Sequence, residues 1–342
     1  MNGVCIVRQD LSSFNHTEKL AKISNYFDGF RLLTDQNETI GFKLYAVNIV
    51  DDSVHAHQNW QDFIWTLVKT SFPSSPGNDN CFLTFREFLD KTQYTNINVL
   101  AYEWIFGQNF ISPGGWNQNL AILKRFGSMR TGQRMLDIGV GIGGGARQAA
   151  SEFGLYVLGV DLSLNMISIA LDRLNMEKDS RVTYIICNAS DYDFESNSFD
   201  FVFSRDCIQH VDDAQNLLCK IYCTLKPGGK VLMTMYGVGY GLLSESFKNY
   251  IASRQYHLKN REQFREIAIK VGFTNVIVED MTSSLKEILK EERTRAEQKR
   301  EEFLARFPEA DYESLVSGWN AKLLYIDDDN LNWNFFMASK PQ

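Results

Sequence analysis

The chain has 342 residues and a mass of 39.2 kDa, more than one typical domain, and its 44% hydrophobic residues suffice for a proper core. A net charge of −7 and a pI near 5.4 argue against a nucleic-acid binder, which carries a basic face. No apolar run reaches the length of a membrane span, and six scattered cysteines without Cys-x-x-Cys spacing read as free thiols of a cytoplasmic protein.

Residues 1–80 read as a small N-terminal region. Gly41 to Val50 alternates as a strand, whereas Trp60, Phe63, Ile64, Leu67 and Val68 fall at helical spacing and predict a packed helix. His55 and His57 have no third ligand nearby in the sequence, so no metal site is expected. Pro73 to Asn80 breaks the pattern as a linker to a main domain over 81–342. From Phe82 aromatic and polar residues alternate closely through Gln93-Tyr94-Thr95, Tyr102 to Gly107 and Ile111 to Gly115, a segment placed to fold over a ligand as a lid.

Arg134 to Gly145, R-M-L-D-I-G-V-G-I-G-G-G, is an apolar strand turning into a helix through glycines. Such a turn lets a ligand press on the backbone beside a helix N-terminus, a seat for a nucleotide-like molecule. The next strand, Tyr156 to Val160, ends in Asp161, at the distance where an acidic residue meets a ribose in doubly wound folds. Helix Ser163 to Leu174, strand Val182 to Cys187, strand Phe199 to Ser204, helix Ala214 to Leu225 and strand Lys230 to Tyr236 continue the alternation. That pattern predicts an α/β, doubly wound, mostly parallel sheet. Helices at Ser244 to Gln255 and Arg261 to Val271, a strand at Thr274 to Glu279, one charge-laced helix from Leu285 to Phe307 and a last strand at Asn334 to Ser339 complete the expectation.

Leu136-Asp-Ile-Gly139, Asp161, Asn188-Ala-Ser-Asp191 before Asn197-Ser-Phe-Asp200, and Lys226-Pro-Gly-Gly229 together resemble the class I S-adenosylmethionine-dependent methyltransferases, which have a seven-stranded sheet. Within that superfamily, Gln93-Tyr94-Thr95, Ile105-Phe106-Gly107, Ile111-Ser112, Ser204 to His210, Tyr236, Phe247 to Tyr250, Arg254-Gln-Tyr256 and Gly318 to Lys322 resemble the phosphoethanolamine N-methyltransferases, which make phosphocholine. The resemblance implies a catalytic pair, Tyr94 and His210, and a phosphobase held by Gln93, Asp206, Tyr236, Tyr250, Arg254, Tyr256 and Lys322. It places S-adenosylmethionine against Gln93, Tyr102, Ile111, Ser112, Asp137, Gly139, Gly141, Asp161, Leu162, Ala189 and Arg205, with Asn188 or Asp191 at the adenine. The catalytic part follows a small N-terminal piece, as in the worm form that adds the later methyl groups, so residues 1–80 read as the remnant of a degenerate domain.

The residue types suit that chemistry. A guanidinium, an ammonium and phenols match a phosphate ester. The amine, with a pKa of about 10, must lose a proton before it attacks, at a cost of roughly 4 kcal/mol at pH 7, and His210 is a candidate acceptor, directly or through Tyr94. Two other readings share the glycine loop: a sterol or lipid C-methyltransferase, which needs an apolar pocket, and a cofactor-binding protein without catalysis.

Overall fold

A computed structural model describes residues 3–11, 20, 23–24, 31–35, 38–51, 61–72, 84–177 and 179–342. His55, His57, Trp60 and the linker Pro73 to Asn80 lie outside these residues. Strands β1 (Val4–Leu11), β2 (Arg31–Leu33), β3 (Thr39–Asp51) and β4 (Gln61–Phe72) come first. Helix α1 (Phe85–Phe88) runs into a single π-helical turn, Leu89–Gln93, before α2 (Asn96–Phe106) and α3 (Gly115–Leu123). Then β5 (Arg134–Ile138), α4 (Gly144–Phe153), β6 (Tyr156–Asp161), α5 (Leu164–Glu177), β7 (Val182–Cys187), β8 (Phe199–Arg205), α6 (Ala214–Thr224) and β9 (Leu225–Val238) alternate. The chain ends with α7 (Glu245–Arg254), α8 (Arg261–Val271), β10 (Thr274–Asp280), α9 (Thr282–Gln298), α10 (Arg300–Leu304), α11 (Glu309–Asp327) and β11 (Leu331–Ser339).

Seven of these strands form the sheet expected of a class I methyltransferase, in the order β7-β6-β5-β8-β9-β11-β10. Strands β7, β6, β5, β8 and β9 are mutually parallel, and β11 enters antiparallel between β9 and β10. The central strands are apolar on both faces because helices cover both. Met135, Val157, Phe201, Phe203 and Leu232 share one core with Ala146, Ala149 and Ile167 of α4 and α5. Leu136, Val160, Val202 and Val231, on the opposite face, pack with Leu217 and Leu218 of α6 and Phe264 of α8. The alternation therefore yields a three-layered molecule with the carboxyl ends of β5, β6 and β8 left open at one edge.

The N-terminal strands extend this same sheet. β3 pairs antiparallel with β7 through Ala46, Val47 and Asn48 opposite Cys187, Ile186 and Ile185, and β4 and β1 follow outward. The helix expected around Phe63 to Val68 is instead strand β4. Phe63, Trp65 and Leu67 are fully buried while Ile64, Thr66 and Val68 between them are less so, the period of two that a half-buried strand requires. The helix expected from Leu285 to Phe307 ends at Gln298, with a short α10 beyond it, and Pro308 then caps α11, which the sequence reading did not assign. Lys226 to Gly229 opens β9 at the edge of the sheet away from the carboxyl ends. There Lys226 Nζ donates to Asp200 Oδ2 at 2.7 Å, so this motif joins β9 to β8.

Candidate active site

The glycine loop after β5 is closed by its neighbours. Gly139 has φ +75°, and a Cβ there would meet Cys207 at 2.4 Å, so no other residue fits. The Gly141 N–H donates to Asp161 Oδ2 at 2.9 Å, while Asp161 Oδ1 accepts from Ser163 N, so the acidic end of β6 fastens the loop. Beside this turn lies one cavity of about 560 Å³.

Every residue that the sequence reading placed at the cofactor or the substrate lines this cavity. Asp137 and Asp161 stand at the carboxyl ends of β5 and β6. Burial first, and then repulsion from Asp161, push the Asp137 carboxyl up to about 8; burial raises that of Asp161 to about 6, against the N–H groups of Ser163 and Gly141. Such carboxylates favour a cation beside them. After β7, Asn188 is folded into a turn: its side-chain oxygen accepts from Ser190 N–H, and its amide donates to Asp191 Oδ2.

The lid is clasped to the sheet. Asp90, in the π turn, accepts from Ser163 Oγ at 2.5 Å and from Leu164 N, and Asn165 Nδ2 donates to the carbonyls of Asp90 and Tyr94. Gln93 Nε2 donates to the carbonyl of Arg254 at 3.1 Å. Tyr102 stacks on Phe106, and Ile111 packs against Gly141. The turn carrying Ser112 is held from below: Arg205 donates to the carbonyls of Pro113 and Gly115, and Glu292 Oε1 accepts from Gly114 N–H at 2.7 Å. The Arg205 guanidinium, expected at the cofactor, thus spends its donors chiefly on this turn and on Asn119.

At the other end of the cavity Tyr94 Oη and His210 Nε2 are 3.4 Å apart. The Tyr256 ring stands edge-on to His210 at 4.8 Å. Burial, followed by the charge of Arg254, lowers the His210 pKa to about 3, and burial raises that of Tyr94 well above the phenol range; both are therefore uncharged near neutral pH. Asp206 has φ +51°, its Oδ1 accepts from Trp333 Nε1 and Thr234 Oγ1, and its buried Oδ2 accepts no hydrogen bond, with Arg205 Nε 3.9 Å away. Next come Tyr236, Tyr250 and Tyr256, with rings about 6 Å apart, and Lys322 Nζ 3.5 Å from the Tyr236 hydroxyl. Burial and the neighbouring Arg254 lower Lys322 to about 8. Arg254 and Lys322 thus stand close enough among the phenols to repel one another, with Glu292 and Asp206 opposing the shift at Lys322.

The sequence reading missed Glu292, Asn119 and Asp90. Glu292 had a visible signal: it falls on the apolar stripe of α9 with Leu285, Leu289 and Ala296, where a charge needs a buried partner.

Residues 1–73 match the model of the phosphoethanolamine N-methyltransferase 2 N-terminal region, and residues 136–233 match a methyltransferase domain. The phosphoethanolamine N-methyltransferase 2 of Caenorhabditis elegans is 54% identical over the whole chain, which covers 77% of that protein. The chain belongs to the phosphoethanolamine N-methyltransferase family. Another member, the phosphoethanolamine N-methyltransferase of Plasmodium falciparum, is 32% identical over 75% of this chain and 96% of its own length. The Haemonchus contortus phosphoethanolamine N-methyltransferase 2, solved with phosphomonomethylethanolamine and S-adenosylhomocysteine, superposes with a TM-score of 0.93 at 64% identity, over 99% of this chain and 77% of that one. Family membership makes the chain an S-adenosylmethionine-dependent N-methyltransferase. Among the described residues no helix is long and apolar enough to cross a membrane.

Proposed function

We propose that this chain methylates the nitrogen of phospho-monomethylethanolamine and phospho-dimethylethanolamine and releases phosphocholine. One observation carries the reading: a cluster of partly buried cations and phenols and an uncharged Tyr94–His210 pair share a single cavity with the glycine loop. Arg254, Lys322, Tyr236, Tyr250 and Tyr256 take the phosphate. Asp206, whose Oδ2 accepts no hydrogen bond, and Tyr94 face the nitrogen. The same polarity speaks against a sterol or other apolar substrate.

The residues around the loop fit S-adenosylmethionine, because the carboxylates of Asp137 and Asp161, which line the cavity beside the glycines, suit a ribose and a cationic amino group. When bound it supplies a methyl group on a sulfonium, already activated for attack by nitrogen. The protein's part is to place that nitrogen in line and exclude water, and near-attack geometry can contribute several kcal/mol. In this reading Asp161 accepts from the ribose, Asp137 from the amino group, and Leu162 and Ala189 flank the adenine.

Turnover on phosphoethanolamine and its monomethyl and dimethyl derivatives, measured in parallel, tests the proposal. Methyl transfer to the latter two is expected; activity confined to phosphoethanolamine would overturn it. The cofactor assignment has its own test in pH. Below about pH 8 the ligand-free site holds Asp137 protonated, and binding a cation there expels the proton, so S-adenosylmethionine affinity is expected to rise by up to about tenfold per pH unit from about 6 to 7 and to level off near 8, where Asp137 and the ligand's α-amino group both titrate. Calorimetry should show the proton release, and Asp137→Asn should flatten the slope. Because the folded-state pKa lies above the ordinary 3.8, the ligand-free protein also loses stability as pH rises through this window, a loss that Asp137→Asn removes.

A further inference from the structure

One contiguous set of contacts runs from the N-terminal strands to the rim of the cavity. Beyond the three paired residues of β3 and β7, Lys43 Nζ reaches Asp191 Oδ2 at 3.2 Å, the same oxygen that accepts from the Asn188 amide. The Tyr45 hydroxyl accepts from the backbone N–H of Asp193, and the Tyr192 hydroxyl donates to Asn48 Oδ1, both at 3.2 Å. The rings of Tyr45 and Tyr192 stack at 5.7 Å. All of these contacts converge on residues 188–193, whose first four members line the cavity. From the opposite side α6 holds the same loop: Lys220 donates to the carbonyl of Tyr192 and to the Asp193 carboxylate, and Asn216 to the carbonyl of Ser190. The loop is thus gripped between the N-terminal strands and helix α6.

We propose that Lys43 and Tyr45 are positioning residues for the cofactor, and that through them the N-terminal strands set the affinity for S-adenosylmethionine. The inference rests on the reading that Asn188 or Asp191 meets the adenine, with Ala189 beside it. Lys43 decides which atoms of that loop remain available. By drawing one oxygen of Asp191 outward, it fixes the carboxylate that orients the Asn188 amide, and it leaves Asp191 Oδ1 as the acceptor facing an exocyclic amino group. Tyr45 sets the height of the loop, because its hydroxyl carries a backbone N–H and its ring carries the Tyr192 ring. The Lys43–Asp191 pair is about half exposed and contributes little to stability by itself, so its removal should be read in binding rather than in folding.

The test uses the full chain with Lys43→Ala, Lys43→Glu, Lys43→Arg and the double variant Lys43→Ala/Tyr45→Phe. Affinity for S-adenosylhomocysteine and for phosphocholine is measured by calorimetry, and the Tm is recorded for each. Expected are an S-adenosylhomocysteine affinity about fivefold weaker in the double variant, a loss at least as large in Lys43→Glu, and recovery in Lys43→Arg. Phosphocholine affinity should stay within about twofold. Unchanged S-adenosylhomocysteine affinity in a folded double variant would overturn the inference, as would parallel loss of both affinities with Tm, which marks a merely structural role. If the double variant does not fold, the single Lys43 variants decide by the same criteria. Asp191→Ala and Asn188→Ala separate the two levels. If neither weakens S-adenosylhomocysteine binding, the adenine assignment fails; if they do and the Lys43 and Tyr45 variants do not, the positioning inference alone fails.

Discussion

Replacing Arg254 with Ala should weaken phosphocholine binding by on the order of a hundredfold, the amount expected when a charge-assisted contact to phosphate is lost from a desolvated site. Phosphocholine is the informative probe because its quaternary nitrogen does not titrate, so the loss reports the phosphate end alone. S-adenosylhomocysteine affinity should change by less than about threefold. Arg254→Lys should recover only part of the binding, since an ammonium lacks the planar fork that engages two phosphate oxygens. Comparable loss for both ligands in calorimetry would show that Arg254 supports the fold of the cavity rather than the phosphate.

The second large effect is expected at the opposite end of the substrate. Tyr94→Phe and His210→Ala should each lower kcat by on the order of a hundredfold while cofactor affinity barely moves. A loss confined to cofactor binding would contradict both roles. The pH profile carries the mechanistic content. An imidazole held near 3 is a poor acceptor for a proton from an amine of about 10; the transfer would cost on the order of 10 kcal/mol in the ligand-free site. Positioning is therefore the main task of the pair there, and His210→Ala should lower kcat at every pH without moving the limbs of its profile. A limb that disappears with the imidazole would instead mean that bound phosphate, by offsetting the charge of Arg254, restores the basicity of His210.

The surroundings of His210 show where sequence reasoning stops. The glycine loop, Asp161 and the order of strands and helices from Arg134 to Tyr236 were legible because each is a local pattern. The β4 segment was misread because Phe63, Ile64, Leu67 and Val68 satisfy a helical stripe and only Trp65, buried between them, decides for a strand. The basicity of His210 was illegible for a different reason: it depends on burial and on Arg254, a residue from another element brought close by the fold. The resemblance brought residues from β5, β6, β8, the lid and α11 to one site, and all of them do line one cavity. It did not reveal what holds them. Glu292 is hidden in a run of charges, and Asp90 is an ordinary carboxylate until Ser163 and Leu164 meet it.

The π-helical turn before Tyr94 also makes the lid sensitive to length. Tyr94 N–H bonds back to the carbonyl of Leu89, five residues earlier, so the turn contains one residue more than a regular helix would. Each residue of an α-helix advances the side chains by about 100°. Deleting any one position between Leu89 and Gln93 would let the turn relax to the common helix and swing the phenol ring away from the imidazole. This stretch therefore tolerates exchange of its outward side chains far better than a change in their number.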